Sequence, residues 1–531
     1  MNAQEQITAA DEPSASDIRL VITASSLGTV FEWYDFFIYG TLAAIVGRTF
    51  FPSGNPTIEL ILSLLGFAIG FGFRPLGAVL FGYLGDRLGR KYTFLVTITL
   101  MGLATAAIGF VPSAAAIGLW APAIVLLLRV VQGLALGGEY GGAAIYVAEH
   151  ATPGKRGFYT SFIQASVAGG FILSLAVVLA TQAAVGAEAW QEWGWRIPFV
   201  FSLLLLAVSL WMRLKLSESP VFKAMKEAGE IARNPLKETF TYPGNGRRLF
   251  VALFGIAAGL TVIWYTAMFQ VLYFLQNALK VEETTAQLLV GVGAASGLVW
   301  FVLFGWLSDR VGRKKPIVWG YALTLLLLFP LFRMIGDAAN PGLAAAAARA
   351  PVVVAGRDCG YDPFARTQAS ECGRVLDYVS KKGVTYTTRE APAVAVSIGG
   401  APQADTSPAA LDRALAAAGY DLGRVRPGLG GVLVILLGVL ALSALSGMTY
   451  GPVAALLTEL FPPRIRYSSM SIPYHIGTGY FGGFLPVISQ YIIARTGDPY
   501  SGLWYTFAVV AMALVVTLFG LREDREAHAV A

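Results

Sequence analysis

Glu32 and Asp35 stand three residues apart in the stretch GTVFEWYDFFIYG, inside an apolar run from about Leu20 to Val46. Residues at that spacing on a helix face nearly the same way, and Tyr39 follows one turn beyond Asp35. A carboxylate at the centre of a bilayer costs roughly 2.5–3.5 kcal/mol on insertion scales, so a pair of them needs a reason. Burial favours the protonated acid, whereas a nearby cation favours the carboxylate. A cycle that carries such a group between the two settings takes up and releases a proton. The competing reading puts one of the pair at a helix end, hydrated or capping a neighbour.

The expected cationic partner is Arg129. Gln132, Gly133, Leu136 and Tyr140 share its helical stripe, and Glu139 lies at the edge of that stripe. Arg129 and Glu139 therefore join Glu32 and Asp35 as proton-coupling candidates, against the alternative of a static ion pair between helices. Arg74 lies twelve residues before Asp86, roughly 18 Å along a helix at 1.5 Å per residue. Its guanidinium needs an anion there, and bidentate geometry suits a carboxylate of the protein or of a substrate. The second half of the chain offers rings instead. Trp264 and Tyr265 sit on a stripe with Thr261 and Met268, and Tyr273, Tyr450, Tyr474 and His475 follow. The expected substrate contacts are Tyr39, Arg74, Gln132, Gln164, Trp264, Tyr265, Tyr273, Tyr474 and His475, with helix packing or an interfacial belt as the alternative for the aromatic members.

Such residues need membrane helices to position them. The 531 residues are 56% hydrophobic and 14% charged, with mean hydropathy +0.62; soluble chains carry about 25% charge. Apolar runs of the ~20 residues that span hydrocarbon as helix recur twelve times, near 20–48, 58–84, 92–111, 119–149, 157–182, 194–214, 247–278, 285–308, 315–336, 427–459, 467–494 and 502–521. The polar, acidic start MNAQEQITAADEPSASD does not suit a cleaved signal peptide. Alternate connections, with both termini, hold 22 Lys or Arg against three (Arg48, Lys280, Arg495) in the opposite short loops. Both termini are thus expected in the cytoplasm. This topology also accounts for the basic pI without a nucleic-acid partner.

The loops GYLGDRLGRK (82–91) and GWLSDRVGRKK (305–315) repeat G-x-x-x-D-R-x-G-R-K, 223 residues apart at the aspartate. Glu149 to Arg156 and Glu459 to Arg466 repeat a second spacing. Two six-helix halves follow, 19–214 and 247–336 with 426–521. They are joined by a cytoplasmic linker, 215–246, with tails at 1–18 and 522–531. Asp86 to Glu149 covers 63 residues but Asp309 to Glu459 covers 150, a surplus of 87 that matches a polar insertion at 337–425. This insertion is expected on the extracytoplasmic side as a small α+β unit. SECGRVLDYVSKKG and SPAALDRALAAAG carry helix start and stop residues, while VTYTTRE and AVAVSIG read as strands. Both cysteines, Cys359 and Cys372, fall within it, and their place on the oxidising side favours a disulfide over two free thiols. No histidine lies nearby to complete a metal site.

The duplicated loop resembles the signature of the major facilitator superfamily. GTVFEWYDFFIYG, RVVQGLALGGEYGGAAIYVAEHATPGKRG, GWRIPF and LKLSESPVF resemble, more narrowly, its metabolite:H+ symporter family. The resemblance spans nearly the whole chain except 337–425, and His475 stands where that family typically has asparagine. It implies an all-α membrane protein of twelve helices in two halves that rock about a central site. The substrate would be a small organic acid or a zwitterionic osmolyte, carried with protons into the cell of a bacterium across its inner membrane. It also implies a cytoplasmic latch. Asp86 would sit at a helix N-terminus of the other half, with Arg87, Arg90 and Lys91 engaging Glu149 or backbone carbonyls. Arg156, Asp309, Arg310, Arg313, Glu459 and Arg466 complete the expected gate. The chain has no P-loop, no G-x-S-x-G and no metal-ligand cluster, so transport rather than catalysis is expected, with no cofactor, no nucleic acid and a functional monomer in the lipid bilayer. A sensor that uses the 337–425 unit is the further alternative.

Overall fold

The computed structural model describes residues 15–88, 90–138, 144–145, 147–148, 151–152, 154–214, 235–362, 368–462 and 465–522. Long apolar segments with no water to bond their peptide groups satisfy them internally as helices. The first half comprises α1 (Ala15–Thr41), continued by Ala43–Phe50, then α2 (Pro56–Gly72), α3 (Arg74–Leu88), α4 (Arg90–Phe110), α5 (Trp120–Gly137), α6 (Arg156–Val185) and α7 (Ile197–Leu214). The second opens with α8 (Asn245–Ala278), α9 (Glu283–Val311) and α10 (Lys314–Ala339). Among the described residues nine helices are long and apolar enough to cross a membrane, and Leu95–Phe110 is a shorter apolar helix.

Within the first half α6 runs along α1, and it also packs along α9 of the second half. Small residues let these backbones approach. A Cβ on Gly133 would collide with the Gly70 carbonyl, and one on Gly137 with the Arg74 carbonyl, which closes a seam between α5 and the α2–α3 pair. That pair breaks at Phe73, just before Arg74 and Pro75. Proline disfavours a helical residue ahead of it and donates no hydrogen bond, so the break fixes the level at which the Arg74 side chain leaves the helix.

The polar insertion is folded. It runs through α11 (Pro341–Arg349), β1 (Val352–Gly356), α12 (Glu371–Lys382), β2 (Tyr386–Glu390), β3 (Ala395–Ile398), β4 (Ala401–Gln403) and α13 (Pro408–Ala417). The sheet order is β2-β1-β3-β4; β1 pairs in parallel with β2, and the other pairs are antiparallel. Ser370 caps α12 by accepting from the Gly373 N–H, and Gly383 ends it in the left-handed region at φ 69°. Ser407 precedes α13, but its hydroxyl bonds Asp405 and makes no cap. Strands β1 and β4 were not expected from the sequence. The bundle resumes with α14 (Leu429–Tyr450) and α15 (Val453–Leu460). Next come α16 (Arg466–Ile476), the wide-wound turn Gly477–Gly483 and α17 (Leu485–Thr496), and α18 (Leu503–Gly520) closes the described bundle. Helix α10 thus reaches three residues past the expected start of the insertion, and α14 begins after its expected end.

Candidate functional site

The two halves meet in a plug of rings. Trp264 of α8 stacks on Phe37 of α1, centroids 5.0 Å apart and 25° between planes. Tyr265 meets Phe71 of α2 edge-on at 5.6 Å and lies parallel to Phe269 at 5.7 Å. The Tyr273 hydroxyl crosses between halves to donate to the Gly40 carbonyl, 2.9 Å. Helix α8 widens to i→i+5 hydrogen bonding over Val251–Ala257, Thr266–Gln270 and Phe274–Ala278, and the turn Gly477–Gly483 does the same. Wide turns of this kind concentrate at functional sites. Trp264 Nε1 and the Tyr265 hydroxyl are buried without a hydrogen-bond partner among the described residues. The plug therefore holds two unspent donors.

Arg74 and Arg129 are both fully buried. Arg74 reaches from the first half to the second, where Nη1 donates to Thr478 Oγ1 at 3.4 Å. Its guanidinium also lies 5.1 Å from the Trp33 ring centroid and 5.2 Å from that of Phe71. Tyr474, one turn before Thr478, pairs its hydroxyl with that of Tyr450 at 3.1 Å and meets His475 edge-on at 5.7 Å. The structure thus brings Arg74, Trp264, Tyr265, Tyr273, Tyr474 and His475 to the interface between halves.

Arg129 does not pair with Asp35, which corrects the sequence expectation. It donates to Gln132 Oε1 and to the Gly66 and Phe67 carbonyls, and lies over the Phe36 and Tyr39 rings at 4.2 and 4.5 Å. Carbonyl dipoles and ring faces supply the negative potential that a carboxylate was expected to give. Gln132 in turn donates through Nε2 to Thr105 Oγ1, 2.7 Å, and the Thr105 hydroxyl is shared between the Met101 carbonyl at 2.9 Å and the Asp35 main-chain carbonyl at 3.3 Å. The Asp35 carboxylate points the other way and accepts from Ser202 Oγ of α7. Gln132 and Tyr39, expected as substrate contacts, both touch Arg129. Glu32 and Gln164 are buried on α1 and α6. Glu139, Tyr140 and Glu149 lie outside the described residues, as do the side chains of Asp86, Arg87, Arg90 and Lys91.

The end of the bundle away from the insertion is closed by Asp309. Its Oδ1 accepts from Gly157 N and its Oδ2 from Phe158 N, both at 2.8 Å, so it caps α6 of the opposite half. Arg313 binds Asp309 at 2.6 Å and Glu459 at 3.0 Å. Burial opposes the Arg313 charge, but the Glu459 and Asp309 carboxylates overcome that and hold the guanidinium above its usual range. Asp309, the repeat twin of Asp86, thus holds a helix N-terminus of the opposite half. Arg156 opens α6; Arg310 lies 4.0 Å over the Trp306 ring, outside the ion cluster; and Arg466 donates to the Phe461 carbonyl. In the insertion Cys359 and Cys372 are joined in a disulfide, Cα–Cα 5.0 Å.

Ser202, Thr105 and Thr478 escaped the sequence reading. Hydroxyls are common in apolar helices, and spacing on one helix says nothing about its azimuth to the next. Thr478 alone carried a signal, in its place within the glycine-rich run YHIGTGYFGG.

Residues 152–462 match the family described as MFS/sugar transport protein, and residues 20–248 match Sugar (and other) transporter. The chain belongs to the major facilitator superfamily. Among curated superfamily members it is 38% identical over 324 residues to the shikimate transporter of Escherichia coli, covering 60% of this chain and 73% of that one. It is 36% identical over 327 residues to the proline/betaine transporter of Salmonella typhimurium, covering 60% and 65%. The fold matches that of the xylose transporter XylE of E. coli in a partially occluded inward-open conformation, with TM-score 0.60 and 17% identity over 96% of this chain and 99% of that one. This superfamily member is thus a membrane transporter of small metabolites.

Proposed function

We propose that the protein is a proton-coupled importer of a small organic acid, working by alternating access in a bacterial inner membrane. Both termini would be cytoplasmic and the insertion outside. The observation that carries this reading is Arg74: a fully buried guanidinium at the meeting of the halves, which reaches across to Thr478 at 3.4 Å and lies against the Trp33 and Phe71 rings. A substrate carboxylate would form a bidentate, charge-assisted pair with this guanidinium. Trp264 Nε1 and the Tyr265 hydroxyl, buried without a hydrogen-bond partner among the described residues, would complete its recognition.

Asp35 is the proposed proton carrier. Its protonation would change the bond from Ser202, while the hydrogen-bond chain from Arg129 through Gln132 brings the Thr105 hydroxyl to 3.3 Å from the Asp35 main-chain carbonyl. Phe36 and Phe37 follow directly, so a shift of α1 moves the ring stacked on Trp264. The test is uptake of labelled carboxylates into proteoliposomes under an inward proton gradient. Asp35→Asn should abolish accumulation and leave counterflow exchange intact; undiminished accumulation in Asp35→Asn would sink the assignment, and its loss in Glu32→Gln alone would move the role to Glu32.

A zwitterion is the second reading, favoured by the ring faces beside Arg74. Its carboxylate would take the guanidinium and its cation an aromatic face. Betaines in the same uptake panel separate the two.

A further inference from the structure

The insertion interrupts the second half, and its bonds to that half are many. Val425 pairs with the connection between α8 and α9, through Val425 N to Lys280 O and Glu282 N to Val425 O, both 2.9 Å. The Arg426 guanidinium grips the Glu282 carboxylate. Tyr386 of β2 donates to the Ala494 carbonyl at the end of α17, 3.3 Å, and its ring packs on Gly497. These contacts make the insertion part of the second half.

Polar contact with the first half runs through Asn55. Asn55 caps α2 with Oδ1, which accepts from Thr57 N at 3.0 Å. Its Nδ2 points away from that helix to the insertion, donating to the Tyr361 hydroxyl at 3.3 Å and to Asp377 Oδ1 at 3.1 Å. Asn55 and Tyr361 are each 2% exposed. Both amide hydrogens are therefore spent across the boundary between halves. Asp377 lies on α12, and the Cys359–Cys372 disulfide ties the segment carrying Tyr361 to the same helix, so both acceptors ride on one unit.

From this geometry we infer that the insertion is a built-in strap that holds its end of the transport cleft shut. When the halves part at that end, the insertion travels with the second half. Asn55 must then surrender both acceptors while the cleft lined by Tyr273 and Gly40 opens. The strap faces the Asp309 latch from the opposite end of the bundle, and each closes the cleft by a contact between halves. The inference needs alternating access but no particular substrate or driving ion.

The test keeps the α2 cap. Asn55→Asp retains the capping oxygen but removes the donor and sets a carboxylate against Asp377. Combining Asn55→Asp with Asp377→Asn restores a donor–acceptor pair with the charges exchanged. The readout is the rate at which a maleimide labels a Tyr273→Cys reporter in nanodiscs, where both faces meet solvent; the disulfide leaves no native thiol to compete. A hydrogen bond to a charged group is worth about a factor of ten or more. Labelling should accelerate at least tenfold in Asn55→Asp and return toward the parent rate in the double variant. An unchanged rate in Asn55→Asp, or an acceleration that the exchange does not reverse, overturns the strap. Because no transport is measured, failure here is separate from failure of the proton-coupled reading.

Discussion

Replacing Asp309 by asparagine should open the end of the bundle opposite the insertion. In the closed arrangement the carboxylate is 6% exposed and spends one oxygen on each of two main-chain N–H groups at 2.8 Å. Asparagine offers one acceptor and turns an NH2 toward the second N–H. One charge-assisted bond is lost, about 1.5–3 kcal/mol, together with the anion's interaction with the α6 N-terminus, about 0.3–1 kcal/mol. Arg313 keeps Glu459 at 3.0 Å and is not orphaned. The closed state should weaken by about 2–4 kcal/mol, roughly thirty-fold to several-hundred-fold at 1.36 kcal/mol per decade. Ser161 is fully buried, and its side chain abuts Gly305 just inside this gate, so Ser161→Cys is a near-isosteric reporter. Maleimide labelling of that thiol should accelerate by at least tenfold in Asp309→Asn. A rate equal to that of the parent would refute the reasoning, because it would mean that the two caps contribute nothing to closure.

Arg74→Lys should raise the substrate KM by about tenfold or more in proteoliposome uptake, because an ammonium cannot make the bidentate pair; an unchanged KM removes Arg74 from recognition. Opening the Cys359–Cys372 crosslink, by reductant or by Cys→Ser at both positions, should destabilise the insertion by about 3 kcal/mol on the loop-entropy account and leave the bundle intact. Proteolysis of the insertion at lower temperature than the helices reads this directly. Lys280, outside the spans, is lowered from its ordinary value to about 8 by burial, with the Arg424 charge adding to it. Below pH 8 both folded and unfolded chains carry this proton and the burial penalty stands. Between pH 8 and 10.5 the folded chain has released it and the unfolded chain has not, so docking of the insertion should strengthen with rising pH across that window. Lys280→Met should flatten that rise in a denaturation series.

The sequence exposed what depends on runs and repeats. The duplicated loop measured the insertion, and Ser370 and Gly383 marked the ends of α12 by chemistry local to those residues. Helical spacing also put Arg129 and Gln132 on one stripe, and the structure bonds them. It could not tell which neighbour that stripe faces. Asp35 turned toward Ser202, and Arg129 found carbonyls and rings, because the rotation of α1 is set by packing against α6 and α7 rather than by its own residues. Strand β1, VVVAG, is a short uninterrupted apolar run whose conformation is decided by its partners β2 and β3, and β4 is too short to announce itself.

The insertion enters and leaves at one place. Asn340, at its start, donates to the Leu279 carbonyl at 3.0 Å, and Val425, at its end, clasps Lys280 and Glu282. A module whose two ends converge on a single turn can be gained in one genetic event without displacing any helix, since the parent loop needs only to be cut, not lengthened. By the same token its surface is free to diversify while the bundle stays fixed by its cargo.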